Sequence, residues 1–221
     1  MSIYKYIIVI ILYFCILSSC NSKSNKQTHM ISDVIEKITD SSYLFDGVSL
    51  DGWETTNFGL QGAVAVKNGE ILLEMGDGCT GITWTGDLPV MDYRISLDAK
   101  RVNGGDFFCG LTFPVDDEFC TLIVGGWGGL VVGLSCIDGR DASENETTQW
   151  INFKDNQWYH IAVEVSEGKI NVMIDNQVII DFTKGTHWLS IRPEVQANIP
   201  LGIASWHTTA ALKNIRLEKL M

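Results

Sequence analysis

The chain has 221 residues, of which 46% are hydrophobic and 19% charged, and its formal net charge at pH 7 is −11. An acidic excess of this size argues against nucleic acid and anionic lipid surfaces as binding partners. The length allows one domain with a full hydrophobic core behind a short N-terminal segment.

The N-terminal segment has the pattern of a secretory signal. Lys5 precedes an apolar run, Tyr6 to Leu17, that is too short to span a membrane as a helix. Leu17-Ser18-Ser19-Cys20 resembles a bacterial lipobox, whose cysteine is acylated and becomes the mature N-terminus. We therefore expect a lipoprotein signal peptide at residues 1–19 and an exported cell-envelope protein, on the periplasmic face or the outer-membrane surface, anchored through Cys20. A plain signal peptide or an uncleaved anchor is the alternative.

Residues 20–42 have the composition of a flexible linker. Ser, Asn, Lys and Gln dominate from Asn21 to about Thr28, which is typical of a solvated tether. Isoleucine and valine then recur at helical spacing between Ile31 and Ile38. That spacing allows one short amphipathic helix, which is marginal unless it packs on another element.

Residues 43–221 predict an all-β domain, because apolar and polar residues alternate with period two between short Gly, Asn and Asp interruptions. The clearest runs predict that alternate residues of 93–99, 107–113 and 159–165 face the core. Turns at Glu167-Gly168 and Asp175-Asn176 predict a three-stranded meander. The segment 203–220 predicts a returning pair of strands. The predicted fold is a sandwich of two antiparallel sheets.

Four cysteines belong to this domain: Cys79, Cys109, Cys120 and Cys136. Because an exported chain meets oxidising conditions, disulfides are one expectation, with Cys109 and Cys120 flanking a turn at residues 114–117. Buried free thiols are the other expectation. The cysteine spacing matches no zinc pattern.

The stretch from Gly125 to Thr148 carries the strongest local signal for a functional site. Glycines flank Trp127 and allow a ligand to come close to the backbone. The charged loop that follows (residues 138–146) predicts acid, base or hard-cation ligand groups. Its charged members are Asp138, Arg140, Asp141, Glu144 and Glu146. A polar rim whose charges pair with one another is the alternative.

Several residues outside the loop are predicted to join the same site. His207 is a candidate base or metal ligand, because imidazole titrates in the useful range, and a structural histidine is the alternative. Trp206 and Trp127 adjoin small residues and a polar cluster and are candidate ligand platforms. Asp106 follows two glycines, and Arg192 can reach the same rim. The remaining turn-flanking tryptophans are predicted to be core or corner residues: Trp53, Trp158 and Trp188.

The domain resembles the 3-keto-disaccharide hydrolase domains, a large bacterial family that includes 3-keto-glucoside lyase-like and hydratase-like members. The opening Leu44-Phe45-Asp46-Gly47 to Asp51-Gly52-Trp53 resembles the first-strand signature of that family. Asn156-Gln157-Trp158-Tyr159 resembles the middle of the family, and Pro200-Leu201-Gly202-Ile203 the closing strands. The resemblance therefore spans Tyr43 to Leu220.

The resemblance implies a concanavalin-like, laminin-G-like jelly roll, often on exported or lipid-anchored proteins. It also implies cleavage of glycosides already oxidised to a ketone at the third sugar carbon, by elimination or net hydrolysis, in some members with a divalent metal. The chain departs from the family where many members carry Gln and His, since Ala204 and Trp206 stand there. The usual Asn-Ser-Gly reads Phe108-Cys109-Gly110. Catalytic roles are therefore not transferred from those positions.

The leading expectation is a lipid-anchored hydrolase or lyase that binds carbohydrate and cleaves 3-keto-glycosides. The predicted acid–base residues are His207, Glu144, Asp138 and Arg140. The predicted sugar-binding residues are Trp127, Trp206, Asp106, Asp141, Glu146 and Arg192. A non-catalytic lectin-like module of the cell envelope is the alternative.

Acylation at Cys20 is directly testable. Metabolic labelling with a radioactive fatty acid should label the full chain and leave the Cys20→Ser variant unlabelled, because the thiol accepts the lipid. Label that persists in Cys20→Ser, or a wild-type chain that takes up none, would refute the lipid anchor.

Overall fold

Two antiparallel sheets packed face to face form the domain in a computed structural model that describes residues 38–220. The predicted signal peptide, Cys20 and residues 21–37 of the predicted linker lie outside the described residues. Within the described part, no helix is both long and apolar enough to cross a membrane.

In the described part of the chain, fifteen strands follow one another with two short helical segments between them. The strands are β1 (Ile38–Tyr43), β2 (Trp53–Thr55), β3 (Val64–Lys67), β4 (Glu70–Leu73), β5 (Cys79–Trp84), β6 (Tyr93–Gly104), β7 (Cys109–Val115), β8 (Glu118–Gly125), β9 (Val131–Ser135), β10 (Gln149–Trp150), β11 (Tyr159–Ser166), β12 (Lys169–Ile174), β13 (Gln177–Thr183), β14 (Gly202–Trp206) and β15 (Thr208–Leu220). A helical turn (Gly126–Gly129), called the glycine turn below, joins β8 to β9, and a 3₁₀ helix (Pro193–Asn198) precedes β14.

The eight-stranded sheet has the order β13-β12-β11-β6-β15-β4-β3, with β1 also paired to β15. The seven-stranded sheet has the order β10-β9-β8-β7-β14-β5-β2. Strands β11, β12 and β13 form the predicted meander. The all-β sandwich predicted from alternation is therefore confirmed, and the returning strands β14 and β15 lie inside the seven-stranded and the eight-stranded sheet, respectively.

The core lies between the two sheets, where alternation places every second side chain. On β6 the predicted residues Tyr93, Ile95, Leu97 and Ala99 are all buried, and on β11 so are Tyr159, Ile161, Val163 and Val165. The facing strands contribute Leu111, Leu122, Leu134 and Ile203. Each fully buried aliphatic side chain of this kind stabilises the fold by about 1.5–3 kcal/mol relative to an exposed one.

The opening segment is held by local hydrogen bonds. The Asp46 carboxylate accepts the N–H groups of Val48 at 2.7 Å and Ser49 at 2.8 Å, which lowers its pKa. The indole N–H of Trp53 donates to the Leu44 carbonyl at 2.7 Å, and Trp53 is buried as predicted. The first-strand signature thus encodes a turn that fixes one core tryptophan.

The alternation predicted for 107–113 is wrong at its first residue. Phe108, not Phe107, is buried in the core beside Cys109, because β7 begins its pairing with β8 only at Cys109. Phe107 points to the opposite side, where a Cβ on Gly110 would meet its ring at 2.9 Å. This irregularity moves one large aromatic side chain from the core to the outer surface of the sheet.

The sequence predicts core or corner positions for Trp188 and Trp158. Trp188 is 51% exposed, so it is not a core residue, and Trp158 is half-buried between the ammonium groups of Lys100 and Lys213.

All four described cysteines are free and buried. Cys109 lies opposite Val124 and Cys120 opposite Phe113, so the register separates the two thiols that a hairpin disulfide would join.

The Tyr93 hydroxyl links the two sheets, because it donates to the Pro114 carbonyl at 2.6 Å in the core. Tyr93→Phe should lower the free energy of unfolding by about 1–3 kcal/mol, since a buried carbonyl loses a donor. Urea denaturation with an unchanged m-value measures this loss. The matched variant Tyr43→Phe, at a residue 64% exposed, should change it little. Equal effects of the two variants would contradict this role.

Candidate functional site

The face of the seven-stranded sheet that points away from the core, called the outer face below, carries the candidate site. Cross-strand neighbours share a face, so the register defines two rows that cross five strands there. One row is small and apolar: Gly81, Ala204, Gly110, Ile123 and Gly133. The other is rich in hydroxyls: Thr83, Gly202, Thr112, Thr121 and Ser135.

Neighbouring segments press onto the small residues of both rows. A Cβ on Gly133 would lie 2.6 Å from the Ala142 carbonyl oxygen, so the charged loop packs directly on β9. A Cβ on Gly202 would clash with the Asn198 side chain, so the 3₁₀ helix packs directly on β14. These contacts leave an open strip between the two covering segments.

A cleft of about 210 Å³ occupies this strip. Its lining combines aromatic, hydroxyl and charged side chains: Cys79, Asp106, Phe107, Thr121, Ile123, Trp127, Ser135, Arg192, Glu194, Val195 and Trp206. Clefts for drug-sized ligands usually measure roughly 300–1,000 Å³. The cleft therefore has room for a single small ring system.

Trp127 reaches the cleft from a strained backbone. Its φ of 48° and ψ of 58° lie in the left-handed region, which costs a residue with a Cβ about 1–2 kcal/mol. Asp106 holds this glycine turn, because its carboxylate accepts the N–H groups of Phe107 at 2.8 Å and Gly128 at 3.4 Å. Backbone strain of this kind occurs at ligand sites, and it leaves the Trp127 side chain 41% exposed at the cleft.

Arg192 is fixed at the cleft by two carboxylates. It donates to Asp141 at 2.5 Å and to both oxygens of Glu194 at 2.7 and 3.2 Å. The hydrogen bonds between these two side chains lower the pKa of Glu194 and raise the pKa of Arg192. A guanidinium has five N–H groups, so two remain for a ligand after these three bonds.

The floor of the cleft offers neutral groups. Thr121 and Thr112 share a hydrogen bond at 2.9 Å, and the Ser135 hydroxyl lies 3.4 Å from the Cys136 sulfur. Burial, followed by the nearby Glu194 charge, raises the pKa of Cys79 to about 12. Because a nucleophilic cysteine must be a thiolate, Cys79 serves here as an apolar wall.

The structure brings together four of the predicted site residues in the cleft: Trp127, Trp206, Asp106 and Arg192. Asp141 joins them through its bond to Arg192. His207 is exposed at the junction of β14 and β15, outside the cleft lining, with its ring centroid 4.9 Å from that of Trp206. Glu144 and Arg140 are exposed on the charged loop and also lie outside the lining.

Asp138 and Glu146 lie against His187, for which the sequence suggested no role. The Nδ1 atom of His187 lies 2.6 Å from Asp138, and Nε2 lies 3.6 Å from Glu146. Asp138 also accepts the Trp188 N–H at 3.1 Å. The hydrogen bond between the two side chains raises the pKa of His187 and lowers that of Asp138. This clasp fastens the charged loop to residues 187 and 188.

Seven lining residues were not predicted as site residues: Cys79, Phe107, Thr121, Ile123, Ser135, Glu194 and Val195. Glu194 stands two positions after Arg192 in the sequence, and this spacing could have predicted that Glu194 lies at the same site. Thr121 on β8 and Ser135 on β9 meet only because of the register between the two strands, which the sequence did not specify.

The divalent metal implied by the family resemblance does not fit these side chains. Across residues 38–220, no group of three or more His, Cys, Asp or Glu residues is arranged to hold a metal ion. Arg192 already engages Glu194 and Asp141.

Comparisons with known proteins place the fold and the family. The family model described as "3-keto-alpha-glucoside-1,2-lyase-like domain" matches residues 40–218. The solved carbohydrate binding module CBM66 of Bacillus subtilis is 19% identical, with a TM-score of 0.53, over 76% of this chain and 96% of that one. The Crh5 transglycosylase, solved with NAG, is 14% identical, with a TM-score of 0.57, over 83% and 85%. No curated protein sequence matches the chain.

The His187 clasp predicts a pH-dependent stability. The pKa of His187 is raised in the folded chain, so protonated His187 stabilises the fold fully below its ordinary pKa of 6.5. This contribution is lost as pH rises through the pKa of His187 in the folded state. Asp138, with a lowered pKa, contributes above its ordinary 3.8 and loses that contribution on further acidification. His187→Gln should therefore lower the urea midpoint at about pH 5.5 and much less at about pH 9.

An NMR titration checks the same clasp. The His187 midpoint should lie above 6.5 in the wild-type chain and fall in Asp138→Asn, because the carboxylate favours the charged imidazole. Glu144→Gln, at an exposed carboxylate of the same loop, is the matched control and should leave the midpoint in place. A wild-type midpoint at or below 6.5 would contradict the clasp.

Proposed function

Since the chain belongs to the 3-keto-α-glucoside-1,2-lyase-like domain family, we propose that it binds a sugar unit in the outer-face cleft and cleaves 3-keto-glycosides there by elimination. The convergence of two tryptophans, the Asp106 carboxylate and the fixed Arg192 guanidinium in one cleft carries this proposal. The similarity of the chain to a carbohydrate binding module and to a transglycosylase concerns the fold, and it agrees with a sugar ligand.

The lining matches the two kinds of surface that a sugar presents. Indole rings pack against the apolar C–H face of a pyranose, and polar groups around it bond the hydroxyls. Trp127 and Trp206 supply the rings, and Thr121 and Ser135 supply hydroxyls on the floor. One ring fills a cleft of about 210 Å³, so the leaving portion of the substrate extends into solvent.

Asp106 is the proposed base. Among residues 38–220 its carboxylate accepts only backbone N–H groups, those of Phe107 and Gly128, whereas Glu194 and Asp141 are bonded to Arg192. A carboxylate oxygen has more than one lone pair, so Asp106 retains capacity to accept a proton. It is the lining carboxylate that has no cationic partner in the described part of the chain.

The ketone makes one base sufficient. A carbonyl at the third carbon acidifies the C2 proton, so Asp106 takes that proton and the C–H electron pair forms an enolate. The enolate then collapses to a C1=C2 double bond as the C1–O bond breaks, and the protonated Asp106 returns its proton to the departing oxygen. The products are an unsaturated 3-keto sugar and the free alcohol, and the carboxylate is regenerated.

Arg192 is the proposed stabiliser of the enolate. Two of its N–H groups remain after its bonds to Asp141 and Glu194. Donors that are fixed before the reaction stabilise developing negative charge without reorganising. The two carboxylates offset much of the guanidinium charge, so Arg192 contributes mainly through directed hydrogen bonds.

Binding without turnover is the second proposed function. Ala204 lies on the outer face and Trp206 lines the cleft, at the positions where the resemblance to the family implies Gln and His. An apolar lining at these positions favours a lectin-like module that holds a glycan. In either case we propose an exported lipoprotein, anchored through Cys20 at the cell envelope.

Turnover of a synthetic 3-keto-disaccharide by the full chain, followed as release of the second sugar, tests the proposal. Asp106→Asn should lower kcat by about 100-fold or more, because general-base catalysis contributes about 10²–10⁴-fold. Trp127→Ala should chiefly raise KM, since it removes a binding surface.

His207→Ala and Glu144→Gln are the comparison variants, because both residues were predicted as acid–base groups and lie outside the cleft lining. If either abolishes turnover while Asp106→Asn retains it, the reaction does not use Asp106 in the cleft. Saturable binding of the unoxidised disaccharide that Trp206→Ala weakens, without turnover of the keto form by the wild-type chain, would establish the lectin-like alternative.

A further inference from the structure

An exposed tryptophan that no part of the proposed mechanism uses lies on the same outer face. Trp150, in the edge strand β10, is 68% exposed. It pairs directly with Val131 on β9, and the bridge from Val131 to Gly126 extends the same cross-strand row to the glycine turn. Because residues directly opposite each other share a face, Trp150 and Val131 point to the same side of the sheet.

That side is the cleft side. Val131 is buried in a small apolar cluster with Ile123 and Ala142, and Phe107 packs against this cluster. Ile123 and Phe107 line the cleft. The Trp150 ring is therefore continuous with the cleft through one row of apolar residues.

The same row of paired residues sets the distance between Trp150 and the glycine turn. Adjacent strands lie about 4.8 Å apart, and two strand steps separate Trp150 from Gly126, which gives roughly 10 Å across the sheet. Trp127 follows Gly126 directly, and its own exposed ring stands at the near end of this path. A ring bound in the cleft does not cover both tryptophans.

The surface beside Trp127 is open. A Cβ on Gly128 would meet no heavy atom within 4 Å, and both Gly128 and Leu130 are exposed. The N–H of Ile151 donates to the Leu130 carbonyl at 2.8 Å, which fixes the chain after Trp150 against the end of the glycine turn. An extended ligand can therefore leave the cleft past Trp127 and approach Trp150.

We propose that Trp150 forms a distal subsite and that the ligand is an oligosaccharide chain of three or more units rather than a free disaccharide. This inference rests on the proposed sugar site in the cleft. The cleft holds one ring, Trp127 supports the chain where it emerges, and Trp150 stacks on a unit further along.

Length-resolved binding by the full chain tests the subsite. The probes are α- and β-linked gluco-, galacto- and fructo-oligosaccharides of one to six units, screened on an array and titrated by calorimetry for the linkage that binds. In the wild-type chain the dissociation constant should fall by about tenfold between two units and four. In Trp150→Ala that gain should disappear while the affinity for the two-unit ligand stays the same.

Trp188→Ala is the matched control, because Trp188 is similarly exposed, at 51%, and its ring lies beside Gly139 outside the cleft lining. It should preserve the gain with length, and Trp150→Phe should retain most of it.

Each remaining outcome overturns the subsite. A wild-type affinity independent of length refutes it while leaving the cleft site intact. Absence of binding to every probe refutes the subsite, and turnover of the 3-keto-disaccharide then decides the cleft site separately. A Trp150→Ala variant that changes the sedimentation mass of the chain, with the gain in affinity preserved, would assign Trp150 to contact with a second copy.

Discussion

The side-chain alternation of five strands, β5, β14, β7, β8 and β9, is the constraint on which both the core and the cleft depend. On β8, Cys120, Leu122 and Val124 face the core while Thr121 and Ile123 face the cleft. A one-residue shift of register would exchange the two sets. The hydrophobic core therefore fixes which residues line the cleft, and the cleft floor has the positional precision of the core that supports it.

The charges of the site are mostly used to hold its walls. Asp141 and Glu194 fix Arg192, and Asp138 and Glu146 hold His187, so four carboxylates are engaged by a basic side chain. These bonds join the charged loop to the segment 187–194 and keep the two covers of the cleft in place. An acid–base role for the same groups would require those contacts to break, which is why Asp106, whose carboxylate has no basic partner in residues 38–220, is the better candidate base.

The sequence predicted the sandwich and much of its core because period-two alternation is a local signal, and β6 and β11 follow it residue by residue. It placed Trp127, Trp206, Asp106 and Arg192 near one another because each adjoins turns or small residues at a rim. It missed Thr121 and Ser135, whose meeting depends on register between strands, and it misassigned Phe107, because the irregularity before β7 leaves no periodic signal. The partners of the charged loop could not be predicted, since Arg192 and His187 approach it only through tertiary packing.

The apolar substitutions at Ala204 and Trp206 bear on catalysis as well as binding. Hydrolysis of an ordinary glycoside needs two carboxylates that flank the bond. Within residues 38–220, the ion pairs of this cleft leave one lining carboxylate without a cationic partner. Elimination from a 3-keto sugar is less demanding, because the ketone supplies the acidity that the protein would otherwise provide. A cleft with one base, one fixed guanidinium and aromatic walls is therefore compatible with lyase chemistry even though the Gln and His that the family resemblance implies are replaced. Under the proposed function the same walls would also bind a sugar that carries no ketone, so oxidation of the substrate would decide between holding a glycan and cleaving it.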